Sequence, residues 1–440
     1  MAIALIVACL CCFGSQLAAQ QVSADNVFFV DPRTGSDEAD GKQSRPWKSI
    51  SHALKQTEKI HEASQVVLQA GMYADVLISN LKPKKQIVVK AAGANKAQLT
   101  SLKVTNSARL RFEGLHIWRE VGEEKTVGTL VHFDTNSEAI AIVASKVETR
   151  PIGGTWTLDH WKANRISGIE AGGKTIRIED NSISNIRFGI AIGADHSLVL
   201  NNTISHFSGD GIRGLGNYST YQGNTIKNCI SIDGTHRDGF QSWSVGTDGK
   251  VGSGKVIGVK LVANKILETI PGENSFPCKM QGIGLFDGMY VDWRIENNVV
   301  VADHWHGITV YGGERVLILH NTVYDPNPRK PGPSRIMIGR HKDGRDPLAS
   351  WVINNIGHKF QKTGTGVFVA GNSHIRDPRQ LFIDPANLDL RLRRGSLAIN
   401  AGVTRAYVGR DLPRLPSKDI AGQPRRTGKW YDAGAYEYIK

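Results

Sequence analysis

Four short stretches of the chain gather side chains able to move protons and hold anions. They are His236-Arg237-Asp238-Gly239-Phe240-Gln241, Lys279-Met280-Gln281, His304-Trp305-His306 and Arg340-His341-Lys342. Histidine titrates near neutrality, while Lys and Arg present fixed positive charge to carboxylates. Such a set suits removal of a proton beside a carboxylate, as in β-elimination from a uronic-acid polymer. That reaction needs the C6 carboxylate neutralised, the C5 proton taken by a base, and the leaving O4 accommodated. In this assignment His236 or His306 is the base, and Lys279 with Arg237 or Arg340 neutralises the carboxylate. Tyr311 donates a proton to the leaving oxygen. Arg213, Asp238, Gln241, Trp243, Gln281, Phe286, His304 and His341 complete the set as substrate-binding candidates.

Other chemistries compete for the same residues. Asp210 and Asp238 hold equivalent positions before a glycine and could act as the carboxylate pair of a glycoside hydrolase. A uronate C5-epimerase would need nearly the same residues as a lyase. A carbohydrate-binding or spike-like protein would need no catalytic set. The acids Asp210, Asp238, Asp287 and Glu273 are scattered, which permits calcium without implying it. No phosphate-binding glycine loop, zinc spacing or nucleophile elbow occurs in the sequence.

What could bring these stretches together is internal repetition. One element, Asn followed by a polar or β-branched residue and then Ile or Val, starts at Asn181, Asn202, Asn224, Asn264, Asn298 and Asn321. A second, X-Gly-Ile or its variant, centres on Gly189, Gly211, Gly239, Gly282 and Gly307, with Gly168 and Gly366 extending it. Single turns of a β-solenoid account for the short intervals, and inserted loops account for the long ones. No such turn can bury its apolar face alone, so strands must stack on their neighbours. A ladder of Asn at a left-handed turn position, with glycine at the other turns, would shape each coil.

Side-chain alternation then sets direction. Phe240, Ser242, Ile283, Leu285, Ile308 and Val310 should point inward. Arg213, Gln241, Gly284 and Thr309 should form one outward row, with Leu215, Trp243, Phe286 and Tyr311 forming an aromatic row beside it. The inserted loops at 227–237, 268–280 and 325–334 leave one corner of successive coils, and those at 244–255 and 339–349 follow the same strand. A strand face walled by loops on both edges is a groove, where binding residues concentrate.

The flanks behave as caps. Val27-Phe28-Phe29-Val30 reads as a strand, and Pro46 through Leu54 as a short helix that closes the apolar end. Val30-Asp31-Pro32, Gly35-Ser36-Asp37, Gly41 and Pro46-Trp47-Lys48-Ser49-Ile50 resemble the N-terminal segment of pectate-lyase-like right-handed β-helix proteins. Leu381-Phe382-Ile383-Asp384-Pro385, Asp389-Leu390-Arg391-Leu392 and Asp419-Ile420-Ala421-Gly422 are similar to their C-terminal segment. The resemblance implies an all-β, single-stranded right-handed parallel β-helix with a short N-terminal capping helix and an irregular C-terminal cap. It covers lyases, hydrolases, uronate epimerases and phage spikes, and so implies no single activity. Lyases of this kind often use Lys or Arg bases with calcium held by acidic clusters, and the hydrolases a denser acidic triad than this chain carries.

Composition sets the outer bounds. Hydrophobic residues make up 40% and charged residues 22%, which excludes wholesale disorder. Lys and Arg outnumber Asp and Glu by 54 to 41, a net +13 that favours a polyanionic partner. Residues 1–19 are uncharged and mostly apolar, and read as a secretory signal, with lipoprotein anchoring at Cys9 as a minor alternative. Export to the periplasm or beyond favours acidic polysaccharide over nucleic acid, without stable membrane insertion. Removal of the signal leaves Cys229 and Cys278, one pair that could bridge. The expected layout is thus 1–19 signal, 20–64 N-terminal strand and capping helix, 65–370 β-helix, and 371–440 C-terminal cap, acting as a monomer.

Overall fold

The computed structural model describes residues 22–273, 276–404 and 411–440. The signal and the Cys9 anchor expected at the N-terminus lie outside the described residues. By contact density the chain forms two compact units: residues up to Ile186 with Ile192–Asn202, and Arg187–Ala191 with Thr203–Lys440.

In the first unit, the strand Val27–Val30 is followed by a short helix as the sequence predicts, but it runs Ile50–Thr57 and starts after the expected Pro46. Asp37 explains why the helix starts where it does. Its carboxylate accepts from the Lys48 and Ser49 amides and from Ser49 Oγ, while Ser49 Oγ caps the helix by accepting from the His52 amide at 3.2 Å. Ile50, Ala53, Leu54 and Thr57 form the buried face. Trp47 stacks on Phe28 at 5.1 Å and seals the corner. Parallel strands then stack in register from coil to coil, for example Thr126–Phe133 on Asn164–Ala171. A second helix, Leu158–Ala163, interrupts this unit. It is started by a Thr157–His160 capping box that the repeat pattern did not signal.

The second unit carries all four chemical stretches. Its groove-side sheet stacks Ile212–Gly214, Arg237–Trp243, Met280–Asp287, His306–Tyr311, Arg335–Gly339 and Lys359–Lys362, each parallel to the next. Two further parallel sheets complete each coil. The Asn repeat forms a buried ladder. Asn224, Asn264, Asn298 and Asn321 each donate from Nδ2 to Oδ1 of the next Asn at 2.9 Å. Asn355 and Asn372 continue it beyond the repeats visible in the sequence.

Two details of the turns differ from expectation. The left-handed residue is the one before each ladder Asn, namely Gly223, Ala263, Asn297, His320, Asn354 and Gly371. The ladder Asn itself is needed for its amide, which bridges coils in both directions. Nor do the X-Gly glycines serve as left-handed turns. A Cβ on Gly239 would overlap Ile266, and one on Gly211, Gly282 or Gly307 would overlap Ile226, Val300 or Val323. The two sequence repeats therefore touch. The Ile or Val of the Asn motif sits where the motif glycine has no side chain.

The C-terminal cap is an antiparallel hairpin, Phe382–Asp384 with Asp389–Leu392, followed by irregular chain. Phe382, Leu390, Leu392, Ala433 and Ala435 bury themselves against Val299, Val301, Tyr324 and Ile356. This shields the outer surface of the Asn-motif strands from water.

Candidate functional site

The first outward row holds as the alternation predicts. Arg213 pairs with Gln241, Gln241 with Gly284, and Gly284 with Thr309. Phe240, Ser242, Ile283, Leu285, Ile308 and Val310 are all buried. The second row does not hold. A bulge between Ser242 and Trp243 sets Trp243 opposite Asp287, and Leu215 lies beyond the strand end at Gly214. An extra residue in one strand shifts everything after it. The aromatic strip is thereby split: Phe286 packs with His306 at 4.9 Å and Tyr311 at 5.7 Å, while Trp243 lies beside Arg213.

His236 stands at the mouth of the groove with its side chain 57% exposed. Its Nδ1 lies 2.9 Å from Oδ2 of Asp238, which is fully buried. Asp210 fixes that carboxylate's backbone, accepting from the Asp238 amide at 2.9 Å. Burial pushes the Asp238 carboxyl up, and the bond to Asp238 pushes the His236 imidazole up. The pair therefore holds a shared proton to higher pH than a lone histidine would. His236 Nε2 is the ring nitrogen left for a substrate.

His304 and His306 form a second group. The His306 amide donates to His304 Nδ1 at 3.1 Å, and His306 Nδ1 bonds Thr309 Oγ1 at 3.0 Å. Burial, then His236 and Lys279, lower the His304 pKa to about 4. Burial and then Arg335 lower that of His306 to about 3. Both rings are neutral at pH 7.

The cations divide sharply. Arg237 is buried inside its own loop, with Nε on the Ile230 carbonyl and Nη2 on Asp233 at 2.8 Å. This corrects its expected role as a neutraliser: a side chain 2% exposed and tied to its loop cannot meet a polymer. Arg340 pairs with Asp346 at 2.5 Å, and buried His341 with Asp343 at 2.8 Å, so both serve the 340–346 loop. Lys342 pairs with Asp287 and Arg213 with Asp210. Lys279 and Arg335 are different, because neither makes an ion pair among the described residues. Among the described residues the Arg335 side chain bonds Gln361 Oε1 alone, at 3.4 Å, and its Nε is buried without a partner.

Arg335 was not a sequence candidate. It lies opposite His306 in the sheet, but in Ser334-Arg335-Ile336 the motif glycine is missing, so the repeat did not flag it. Arg335 takes the glycine's own place immediately before Ile336, and it reaches the level of His306 only through a register shift before Ile308.

Two braces hold the mouth. Cys229 and Cys278 are disulfide-bonded, with Cα atoms 5.3 Å apart, and join the first two inserted loops. Glu268 accepts from the Met280 amide at 3.2 Å and the Asp303 amide at 2.8 Å, tying the strand after Lys279 to the loop carrying His304. Burial raises its pKa to about 7. Gln281 keeps a buried Oε1 without a partner at the same level.

Among the described residues no three His, Cys, Asp or Glu side chains converge to hold a metal ion, nor is any helix long and apolar enough to cross a membrane. A cavity of about 560 Å³ lies elsewhere, between the Lys260–Val262 and Arg294–Glu296 strands and residues 414–422. We place the site at the groove, because no histidine lines the cavity.

The stacked parallel coils match a family model for a right handed beta helix region over residues 167–332. The chain carries a right-handed parallel β-helix fold. No curated protein matches it in sequence. Among solved structures it is similar to the Dettilon tailspike protein, at 16% identity and TM-score 0.53, covering 81% of this chain and 69% of that one. It is also similar to the pectate lyase Pel9A, at 14% identity and TM-score 0.46, covering 95% and 98%. A mannuronan C-5 epimerase module from Azotobacter vinelandii gives 14% identity and TM-score 0.38, covering 74% and 94%. Identities this low speak to the fold alone.

Proposed function

We propose that this protein is an exported lyase that cleaves an acidic polysaccharide by β-elimination. One observation carries the reading: Lys279 and Arg335, which make no ion pair among the described residues, act electrostatically on His304 and His306, and His236 is oriented by buried Asp238. In this reading Lys279 and Arg335 hold the C6 carboxylate and stabilise the charge that builds on it. His236 Nε2 takes the C5 proton, the electron pair forms the C4–C5 double bond, and O4 departs. Tyr311 at the rim protonates the leaving oxygen. The neutral rings of His304 and His306 supply hydrogen bonds without competing for the carboxylate.

Hydrolysis by Asp210 and Asp238 fits less well. Asp238 is fully buried and Asp210 is 4% exposed and ion-paired, so neither reaches an anomeric carbon. An epimerase would share the proton abstraction and differ in returning the proton to the other face.

The test is ultraviolet absorbance of the unsaturated product on alginate, pectate, glucuronan and glycosaminoglycans, with and without chelator. Rising absorbance with chain shortening is expected. New reducing ends without absorbance would mean hydrolysis, and isotope exchange without shortening would mean epimerisation. Inertness towards the whole panel would leave a binding protein.

A further inference from the structure

Arg213 is built unlike the other paired arginines of this unit. Its guanidinium lies 3.5 Å over the Phe188 ring and 5.4 Å from that of Trp243. Nε donates to Asp210 Oδ2 at 2.6 Å. Asp210 is itself fixed, because its other oxygen accepts the Asp238 amide. The plane of the guanidinium is thus set by an aromatic face on one side and a buried carboxylate at one edge. Neither Nη group makes a hydrogen bond among the described residues, and the side chain remains 27% exposed. A planar fork held rigid with its outer edge open matches the geometry of a carboxylate, and ordering it beforehand removes an entropic cost of binding.

Position completes the argument. Arg213 pairs with Gln241, on the strand that begins just after His236, and stands three rungs from Thr309 beside His306. Three rungs are about 14 Å at roughly 4.8 Å each, and one sugar of an extended chain advances about one rung. A polymer lying across the coils with its reacting sugar between His236 and Arg335 would bring a sugar two or three residues along the chain to Arg213.

We propose that Arg213 is a second carboxylate subsite, so that the substrate carries a further acid group two or three sugars from the reacting one and is a polyuronide block rather than a chain with isolated uronates. The inference rests on the lyase reading for which sugar reacts, but not for binding itself. Asp210 is essential to it as the positioning residue that holds the fork.

The experiment uses the full mature chain and the variants Arg213→Gln and Arg213→Met, the second of which keeps an apolar stem against Phe188. Binding of polyuronate oligomers is measured by calorimetry in a His236→Ala background, and KM and kcat in the wild-type background. Loss of one charge-assisted bidentate contact should weaken binding and raise KM about tenfold, with kcat changed far less. A polymer with single uronates among neutral sugars should show no such loss. Equal affinity of variant and parent for polyuronate, with unchanged unfolding midpoints, would overturn the subsite. Loss of folding in both variants would make Arg213 a structural plug, which also overturns it. Wild type that binds polyuronate without cleaving it would sink the lyase reading and leave the subsite standing. No binding of polyuronate at all would sink both.

Discussion

His236 Nδ1 sits 2.9 Å from a carboxylate oxygen of Asp238, and the two differ completely in exposure: the imidazole opens to the groove while the carboxylate is sealed beneath it. The buried partner fixes which ring nitrogen faces substrate. It also raises the His236 pKa above its ordinary 6.5. A base works only when unprotonated, so kcat/KM should climb through an acid limb lying above pH 6.5. Asp238→Asn removes the charge that favours the imidazolium, so the limb should move to lower pH while kcat falls. His236→Ala should cost roughly 10²–10⁴ in kcat. A pH–rate profile decides it; a limb that Asp238→Asn leaves in place would exclude His236 as the titrating base.

Lys279 and Arg335 should behave as a pair. Each is expected to stabilise the charge on the reacting carboxylate, so Lys279→Met or Arg335→Met should lower kcat by about 10²–10³. Arg335→Lys should recover only part of this, since a point charge does not reproduce the fork. Arg340→Met, in contrast, breaks only an exposed pair with Asp346 and should leave kcat within about twofold. Steady-state kinetics on one polymer tests all four. Equal losses in Arg335→Met and Arg340→Met would remove the distinction drawn between paired and unpaired cations.

The outward row Arg213–Gln241–Gly284–Thr309 was legible because alternation with period two holds wherever strands stay in register. The row beside it was not, since a bulge at Ser242 and Trp243 depends on how Asp287 and its flanking turn close, and no residue type announces that. Arg237 looked like a groove cation from its place before Asp238. Its side chain instead satisfies the carbonyls of a loop whose shape the sequence does not specify. Arg335 was hidden for the opposite reason: the glycine that marks each coil is absent there. His236 with Asp238 was readable as a cluster, but their division into exposed base and buried holder required the coordinates.

Contact between the two repeats gives a stability test. A methyl group on Gly239 would overlap Ile266, in a column where neighbouring coils leave no slack. Gly239→Ala should therefore destabilise by about 1–3 kcal/mol through overpacking. Gly193→Ala, whose Cβ would meet nothing within 4 Å and whose φ is not left-handed, should be neutral or stabilising by up to about 1 kcal/mol. Urea unfolding of each variant gives the comparison. A double-mutant cycle with Ile266→Ala, which removes the overlapping Cγ2, should show favourable coupling; its absence would mean that the loss comes from some contact other than this one.

Glu268 predicts how stability varies with pH. Its carboxyl pKa is raised from 4.5 to about 7, chiefly by burial, so the folded protein keeps the proton that the unfolded chain releases. The stabilisation is complete below pH 4.5, declines as pH rises from there, and is lost above about 7. The full span is at most about 3.5 kcal/mol, taking roughly 1.4 kcal/mol per unit. Glu268→Gln cannot ionise, yet its amide oxygen can still accept from Met280 and Asp303. The variant should match wild type near pH 5 and exceed it at pH 8, in urea or thermal unfolding. Activity at pH 8 should also persist, because the brace between the Lys279 and His304 segments remains. Identical pH dependence in variant and wild type would mean that Glu268 is ionised in the fold and that its two amide bonds outweigh its burial.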